Sequence, residues 1–375
     1  MTATAWRSRW AEQGLAFVVV LAVVGTAASS AWATFPGRNG KIAVAFFDDP
    51  GGGAGPARSG IGLLRADRGA AQKRTEVIAC TDDRRPPREC LREYATPAFS
   101  PNGRWIAFDA GRQIAVVRMN GTGRRLLPAA GTDPTSPAWS PSAKQIVFDA
   151  ARSTSPHAIR DLYVVAADGS GRAKRVVRDA ADPSWSAGGL FAFERPSNAI
   201  PPRPRRLVVS RSDGTHARAV SSGTAKRPDF SRDPDFSPDG SRVVYYAGAR
   251  NRLAVVGTNG RGTRLLAAPG CCIQQPAWSP DGRRLAWWYN GIFVARSDGT
   301  HAHAIAKDRV GPMSTFNFWS SAPSWQPLPR PARPGVRRPC AWTGPLHPVF
   351  CSGTGAMPAA CLPSACRSWS SSRRW

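Results

Sequence analysis

The sequence is poor in the residues that build exposed helices, with only 5 Glu and 6 Lys among 375 residues. Both are strong helix formers, so long surface helices are excluded. Beyond the first 33 residues no apolar run is long enough to span a membrane. Three catalytic signatures are also missing: the Gly-x-Ser-x-Gly elbow, the Gly-x-x-x-x-Gly-Lys phosphate loop and the His-Glu-x-x-His zinc helix.

Turn-forming residues are abundant, with 36 Gly and 34 Pro, and many of the prolines belong to a repeat. In each copy a proline is followed two residues later by Phe or Trp. The six prolines are Pro97, Pro137, Pro183, Pro234, Pro276 and Pro323. They lie 40, 46, 51, 42 and 47 residues apart, and a period of about 40 to 50 residues is typical of one four-stranded propeller blade.

Each repeat reads as four short strands. A Ser-Pro-Asp-Gly tight turn follows the aromatic residue, and an apolar strand such as residues 243–246 comes next. Strands without polar alternation are covered on both faces, as the middle strands of stacked blades must be. A third strand then ends in an Asn-Gly or Asp-Gly hairpin turn, and a short fourth strand follows. The sequence therefore predicts an all-β propeller of four-stranded blades.

The two ends of the repeat region complete one blade. Residues 39–44 match the motif from its turn onward but lack the preceding Pro-x-Trp strand, whereas residues 323–325 supply that strand alone. Pairing of these N- and C-terminal strands would close the ring and remove its exposed edges. With five whole copies between them, we expect a six-bladed β-propeller.

The pattern Pro-x-Trp-Ser-Pro-Asp-Gly, followed by an apolar strand and an Asp-Gly-Ser/Thr turn, resembles the WD-like repeat of TolB-type β-propellers. The resemblance covers roughly residues 36–327. It implies a six-bladed scaffold used for binding. TolB proteins also carry an α/β domain before the propeller and join an envelope complex with a peptidoglycan-associated lipoprotein. Here we expect no such domain, because the repeat begins close to the predicted cleavage site.

The regions before and after the repeats differ from them in composition. Arg7 and Arg9 precede the apolar run 15–28, and Ala-Trp-Ala at 31–33 is a small-x-small cleavage pattern, so residues 1–33 read as a secretory signal. We assign residues 34–327 to the propeller. Residues 328–375 form a basic tail rich in Pro, Ser, Arg and Cys. Three interpretations stay open: a disordered arm, a small disulfide-linked cap, or a segment translated out of frame.

Irregular inserts gather on the propeller face opposite the uniform turns, which is a common place for a binding site. The sequence places polar residues at the ends of second strands on that face: Asp48, Asp109, Asp149, Glu194, Tyr246 and Tyr289. A carboxylate arc there would bind a cation or a basic peptide. The simpler alternative is that each carboxylate pairs with a local Arg or caps a loop.

Cysteine content fits export, and Cys80 and Cys90 flank one insert that a disulfide would staple. The formal net charge of +26 comes from basic residues scattered along the chain, which does not favour nucleic-acid binding. We predict no catalytic residue, metal ligand or cofactor. A cation bound in the pore is an alternative that the sequence leaves open.

The sequence therefore predicts an exported monomer without a membrane span after cleavage, located in the periplasm, cell envelope or outside the cell. Its predicted role is a non-enzymatic scaffold for an envelope or extracellular protein, peptide or glycan. The alternative is a hydrolase or lactonase-like propeller enzyme with a carboxylate or metal site at the pore mouth.

Overall fold

The structure is a computed structural model that describes residues 35–49, 57–82, 93–155, 158–196, 205–221, 231–267, 274–307, 309–310, 316–319 and 323–329. Regular structure in these ranges is almost entirely β-strand, with one 3-10 turn at Gly248–Arg250. None of the helical structure within them is long and apolar enough to cross a membrane. The signal segment, the tail and the Cys80–Cys90 pairing lie outside what these ranges describe.

Five blades are antiparallel meanders whose strands follow one another along the chain. Their bounds, from the inner strand outward, are β4–β7 (Glu93–Phe99, Trp105–Ala110, Ile114–Arg118, Arg125–Leu126), β8–β11 (Thr132–Trp139, Gln145–Ala151, Arg160–Ala166, Lys174–Val177), β12–β15 (Ala181–Trp185, Leu190–Pro196, Arg205–Arg211, Arg218–Ala219), β16–β19 (Ser231–Phe236, Arg242–Ala247, Arg252–Gly257, Arg264–Leu265) and β20–β23 (Gln274–Trp278, Arg284–Trp288, Gly291–Arg296, His303–Lys307). We number these blades 2 to 6.

Blade 1 is built from both ends of the ring, as the sequence predicts. Its strands β1 (Arg38–Asp49), β2 (Ala57–Arg65) and β3 (Thr75–Asp82) come from the N-terminal side, and β26 (Ser324–Leu328) pairs with β1 as the inner strand. Two further strands, β24 (Arg309–Val310) and β25 (Phe316–Trp319), extend this sheet along the far half of β1. The six-bladed ring closed by N- and C-terminal strands is confirmed.

The serine after each motif aromatic explains why the motif repeats. Its buried hydroxyl accepts the backbone N–H of the residue that starts the second strand, at 2.8–3.0 Å, in all five whole blades. The acceptors are Ser100, Ser140, Ser186, Ser237 and Ser279. In blade 1, Gln326 takes this place: its Oε1 accepts from Lys41 N at 3.2 Å and its Nε2 donates to Gly103 O at 3.0 Å. The motif serine therefore locks the turn that joins the first two strands.

Within the described residues the core consists of six apolar clusters, each shared by two neighbouring blades. The motif aromatic of each blade packs into the cluster shared with the preceding blade: Phe99, Trp139, Trp185, Phe236, Trp278 and Trp325. All six are less than a tenth exposed. Burial of these large side chains stabilises each blade-to-blade interface, so the repeat holds the ring together as well as forming the blades.

Candidate binding site in the central channel

Each inner strand of blades 2 to 6 carries a β-bulge at the residue before the motif proline. The pairing register shifts there in all five whole blades. The bulged residues have positive φ between 44° and 54°: Thr96, Ser136, Asp182, Asp233 and Gln275. A left-handed backbone costs about 1–2 kcal/mol in a residue with a side chain. Bulges re-aim side chains next to functional sites, and these five residues all line the central channel.

The channel encloses a cavity of about 150 Å³, lined by residues from all six blades. Two tiers of side chains form its wall. The mouth tier is the set of five bulged residues. The second tier is the residue after each motif proline: Ala98, Ala138, Ser184, Asp235, Ala277 and Ser324. The six motif prolines, four motif aromatics and Phe35 complete the lining.

Negative charge is confined to one side of this wall. Asp182 belongs to blade 4, while Asp233 and Asp235 belong to blade 5. Two serines bond to these carboxylates: Ser136 Oγ donates to Asp182 Oδ1 at 2.7 Å and Ser184 Oγ donates to Asp235 Oδ1 at 3.2 Å. Across the remaining blades the second tier offers three alanines and one serine, so the channel has an acidic sector and a neutral sector.

Behind the mouth tier, Glu194 joins the acidic sector. One carboxylate oxygen from each of Asp182, Glu194 and Asp233 lies within 4.8 Å of the other two. Glu194 is fully buried; Arg205 pairs with its Oε2 at 2.5 Å and Asp233 N donates to its Oε1 at 3.0 Å. Burial, with the nearby Asp182, raises the pKa of Glu194 well above its usual value and raises the pKa of Asp233 to about 7. Glu194 and Asp233 therefore favour their protonated forms, and the three carboxylates lie close enough together to share a cation.

Four of the six sequence-predicted site residues occupy equivalent places in the blades. Asp109, Asp149, Glu194 and Tyr246 pair across the sheet with Ala95, Thr135, Ala181 and Arg232, one position before each bulge. Asp48 does not match, because the equivalent residue of blade 1 is Ala45, two residues beyond the Ala43 that pairs with Ser324. Tyr289 also lies one residue beyond the equivalent Trp288, which pairs with Gln274.

Local partners satisfy most of these side chains, as the simpler alternative predicts. Ion pairs join Asp48 to Arg74, Asp149 to Arg160 and Glu194 to Arg205. The Tyr246 hydroxyl donates to Asn251 Oδ1 at 2.7 Å, and the Tyr289 ring packs against Phe293 with centroids 6.0 Å apart. None of the six residues belongs to the described lining of the cavity.

Asp109 differs from the other buried carboxylates of this set. Its Oδ1 accepts from Gly111 N at 2.8 Å, but no ion pair joins it to the described residues. Burial raises the pKa of Asp109 to about 8, with Asp133 and Asp149 adding to the effect. For Asp149 burial and Asp182 raise the pKa to about 7, despite the neighbouring Arg160. Buried, electrically coupled carboxylates thus continue from the acidic sector into blades 3 and 2.

Sequence reasoning missed the residues that do line the cavity: Asp182, Asp233 and Asp235. The available signal was the pair of positions that flank each motif proline, since those positions vary between copies while the proline and the aromatic do not. A bulge inserts one extra residue and so changes which side chains face the channel. Simple alternation along the strand therefore points to the wrong residues.

Comparison with known proteins agrees with this fold. The sequence profile described as TolB beta propeller domain matches residues 81–282. No curated protein matches the chain. Among solved structures, TolB from Acinetobacter baumannii is 16% identical with a TM-score of 0.55, covering 78% of this chain and 68% of that chain. A putative TolB from Agrobacterium tumefaciens is 12% identical with a TM-score of 0.52, covering 78% of this chain and 93% of that chain.

Hydrazine synthase from Kuenenia stuttgartiensis is a further structural neighbour, 13% identical with a TM-score of 0.55, covering 80% of this chain and 49% of that chain. At such identities a structural likeness shows the fold alone, because propellers host many functions. The match to the sequence profile is evidence of family membership, because it spans over half of the chain and includes four of the five whole repeats. The chain therefore belongs to the TolB β-propeller family.

Proposed function

We propose that this protein is an exported binding scaffold whose channel mouth holds a cationic group of an envelope or extracellular protein or peptide. Membership of the TolB β-propeller family supports a protein-binding role at the level of the family. The single observation that carries the proposal is the divided channel. Carboxylates of Asp182, Asp233 and Asp235 line one side of the cavity, and the alanines of blades 2, 3 and 6 line the other.

Because the whole chain is positively charged, a cationic group should bind in the channel rather than elsewhere on the surface. The sequence has a formal net charge of +26, which disfavours cations close to the general surface of the protein. Exposed charges are screened beyond about 8 Å at physiological salt, so the channel carboxylates act on a ligand only at close range. A primary ammonium or guanidinium on an apolar stem fits both sectors, because the stem contacts alanine and the head group contacts carboxylate.

The test is affinity capture from an envelope extract with three forms of the exported protein as bait. The Asp182→Asn/Asp233→Asn variant removes two channel carboxylates. Asp213→Asn/Asp298→Asn is the matched control, because it removes two carboxylates from exposed hairpin turns that only bond within their own turn. We expect partners recovered by the wild type and the control to be lost with the channel variant.

A second experiment examines any partner that passes this test. Acetylation of its amines removes their positive charge and should abolish binding to the wild-type bait when the bound group is an ammonium, whereas binding through a guanidinium should persist. Recovery of the same proteins by all three baits, identified by mass spectrometry, would contradict a role for the channel carboxylates.

One observation supports a second candidate, an enzyme with a metal at the pore mouth. The oxygens of Asp182, Glu194 and Asp233 lie close enough to share one cation, and all-oxygen sites suit Ca²⁺, Mg²⁺ or Mn²⁺. Arg205 would compete with the metal for Glu194. A rise in the melting temperature with one of these ions, lost in Asp233→Asn, is the result that this candidate requires.

A further inference from the structure

Phe35 lies at one end of the channel cavity. Its side chain is 6% exposed and lines the cavity together with motif aromatics. It belongs to the apolar cluster shared by blades 2 and 3, where it packs with Trp139 and Ala98. Phe35 itself precedes the first strand of blade 1. A residue from outside all the inner strands therefore reaches the centre of the ring.

Backbone contacts fix the end at which Phe35 lies. Gly37 N donates to the carbonyl of Pro280 at 3.2 Å, and Pro280 belongs to a Ser-Pro-Asp-Gly turn. Arg38 pairs with Leu328, the last residue of the inner strand of blade 1. A Cβ on Gly37 would lie 2.4 Å from the Leu328 carbonyl oxygen, so only glycine permits this close approach.

Side-chain contacts hold the same segment in place. Asn39 Nδ2 donates to Asp281 Oδ2 at 3.0 Å, and Asp281 N donates to Asn39 Oδ1 at 3.2 Å. Asp281 is part of the same turn as Pro280. The segment that carries Phe35 is thus anchored on the turn face of the propeller, whereas the mouth tier precedes the motif prolines at the opposite end of the inner strands.

We infer that Phe35 is the floor of the channel and makes it a blind pocket that opens only at the mouth tier. Such a pocket accepts the end of a chain or a single side chain and excludes a polypeptide threaded through the ring. For the proposed binding role, on which this part rests, the ligand is then a terminal amine or one Lys or Arg side chain that contacts Phe35 at its far end. Phe35 sets the depth of the site.

Access to a cysteine inside the cavity tests the blind pocket without any ligand. Ala138→Cys places a thiol in the second tier, and labelling at position 138 by a small thiol reagent is followed by peptide mass spectrometry, which separates it from the native cysteines. Gln275→Trp narrows the mouth. We expect this change to slow labelling severalfold, and we expect Phe35→Ala to restore the rate by opening the floor. Phe35→Leu is the matched control and should leave labelling slow.

Two outcomes would overturn the inference. Labelling that stays fast when the mouth is narrowed would show a second opening, and labelling that stays slow in Phe35→Ala would show that another group forms the floor. Thr96→Trp narrows the mouth from another blade and replaces Gln275→Trp if that variant fails to melt cooperatively. Because no cationic ligand takes part, the blind pocket can fail while the binding role stands, and the reverse also holds.

Discussion

Two sectors of the channel have the same backbone and different chemistry. In blades 2 and 3 the bulged residues are Thr96 and Ser136, whereas in blades 4 and 5 they are Asp182 and Asp233. Register shift, positive φ and the following proline are common to all four. The repeat therefore fixes where a side chain is presented, and a single substitution at a fixed position decides whether that part of the wall is neutral or acidic.

The carboxylates behind the mouth tier also differ between the two sectors. Glu194 of blade 4 has a guanidinium partner in Arg205, while Asp109 at the equivalent place in blade 2 has the Gly111 N–H and no ion pair among the described residues. A buried charge without a partner shifts its pKa toward the neutral form. Glu194 of the acidic sector thus has a guanidinium partner, whereas Asp109 of the neutral sector is held toward its protonated form. Changes at Arg205 and Asp109 test this difference.

The largest effect is expected from removing the cation of the acidic sector. Arg205→Ala leaves the fully buried Glu194 without its ion-pair partner, and we expect the free energy of unfolding to fall by about 3 kcal/mol at neutral pH. Urea denaturation measures the change. Arg206→Ala, next to it in the same strand, is the control and should change stability little.

The paired variant Glu194→Gln/Arg205→Met sharpens this test. It removes both charges, so most of the lost stability should return. If the double variant is no more stable than Arg205→Ala, the cost lies in lost packing of the arginine stem rather than in an uncompensated carboxylate.

A pH-dependent effect, smaller than this over any one pH unit, is expected at Asp109. Its folded pKa of about 8 lies above the usual value, so its contribution to stability is complete below about pH 4 and is lost as the pH rises through the folded pKa. Asp109→Asn should therefore remove a decline of up to about 1.4 kcal/mol per pH unit between these limits. Urea denaturation from pH 4.5 to 8.5 measures the slope.

The control for this slope is Asp298→Asn. Its hydrogen bonds to Thr300 lower the pKa of Asp298 below the usual value. A lowered pKa contributes stability that is lost only as the pH falls through it, so this variant and the wild type should have parallel profiles above pH 5. Parallel profiles for Asp109→Asn and the wild type would show that Asp109 does not titrate as a buried acid.

The smallest effect concerns the backbone that both sectors have in common. Gln275 has φ of +54°, and glycine adopts this region without steric cost. Gln275→Gly should raise the free energy of unfolding by about 0.5–1 kcal/mol, whereas Gln275→Ala, which keeps the strain, should not. Thermal denaturation of the two variants compares their melting temperatures. Equal values would mean that the backbone at the bulge is not strained.

The fold could be predicted because its determinants recur in the sequence. The motif proline, aromatic and serine each perform one local task in every whole blade, and repetition makes that task recognisable from the residues alone. The missing inner strand near Asn39 and the extra one at Pro323 also stand out against the repeat. Ring closure was therefore predictable in detail, down to the pairing of β26 with β1.

The site was harder to predict because its determinants do not recur. Asp182 and Asp233 occupy positions that hold Thr, Ser or Gln in other copies, and a bulge turns them toward the channel. Asp48 was misplaced because β1 is 12 residues long and pairs with β25 beyond the point where other second strands end. The position of the bulge recurs before the motif proline of each whole blade, but the charge of the residue there does not, and the long strand has no counterpart in the other blades.

Closure of the ring by β26 also sets the order of events during folding. Ile42 pairs with Trp325, so the first blade to begin is the last to be completed, and this contact spans most of the chain. Contacts so distant in sequence are slow to form. Until β26 arrives, the inner edge of β1 and the next blade surface stay uncovered, and exposed edges promote association between chains. A chain truncated before Ser324 would therefore aggregate and would not form a stable five-bladed ring.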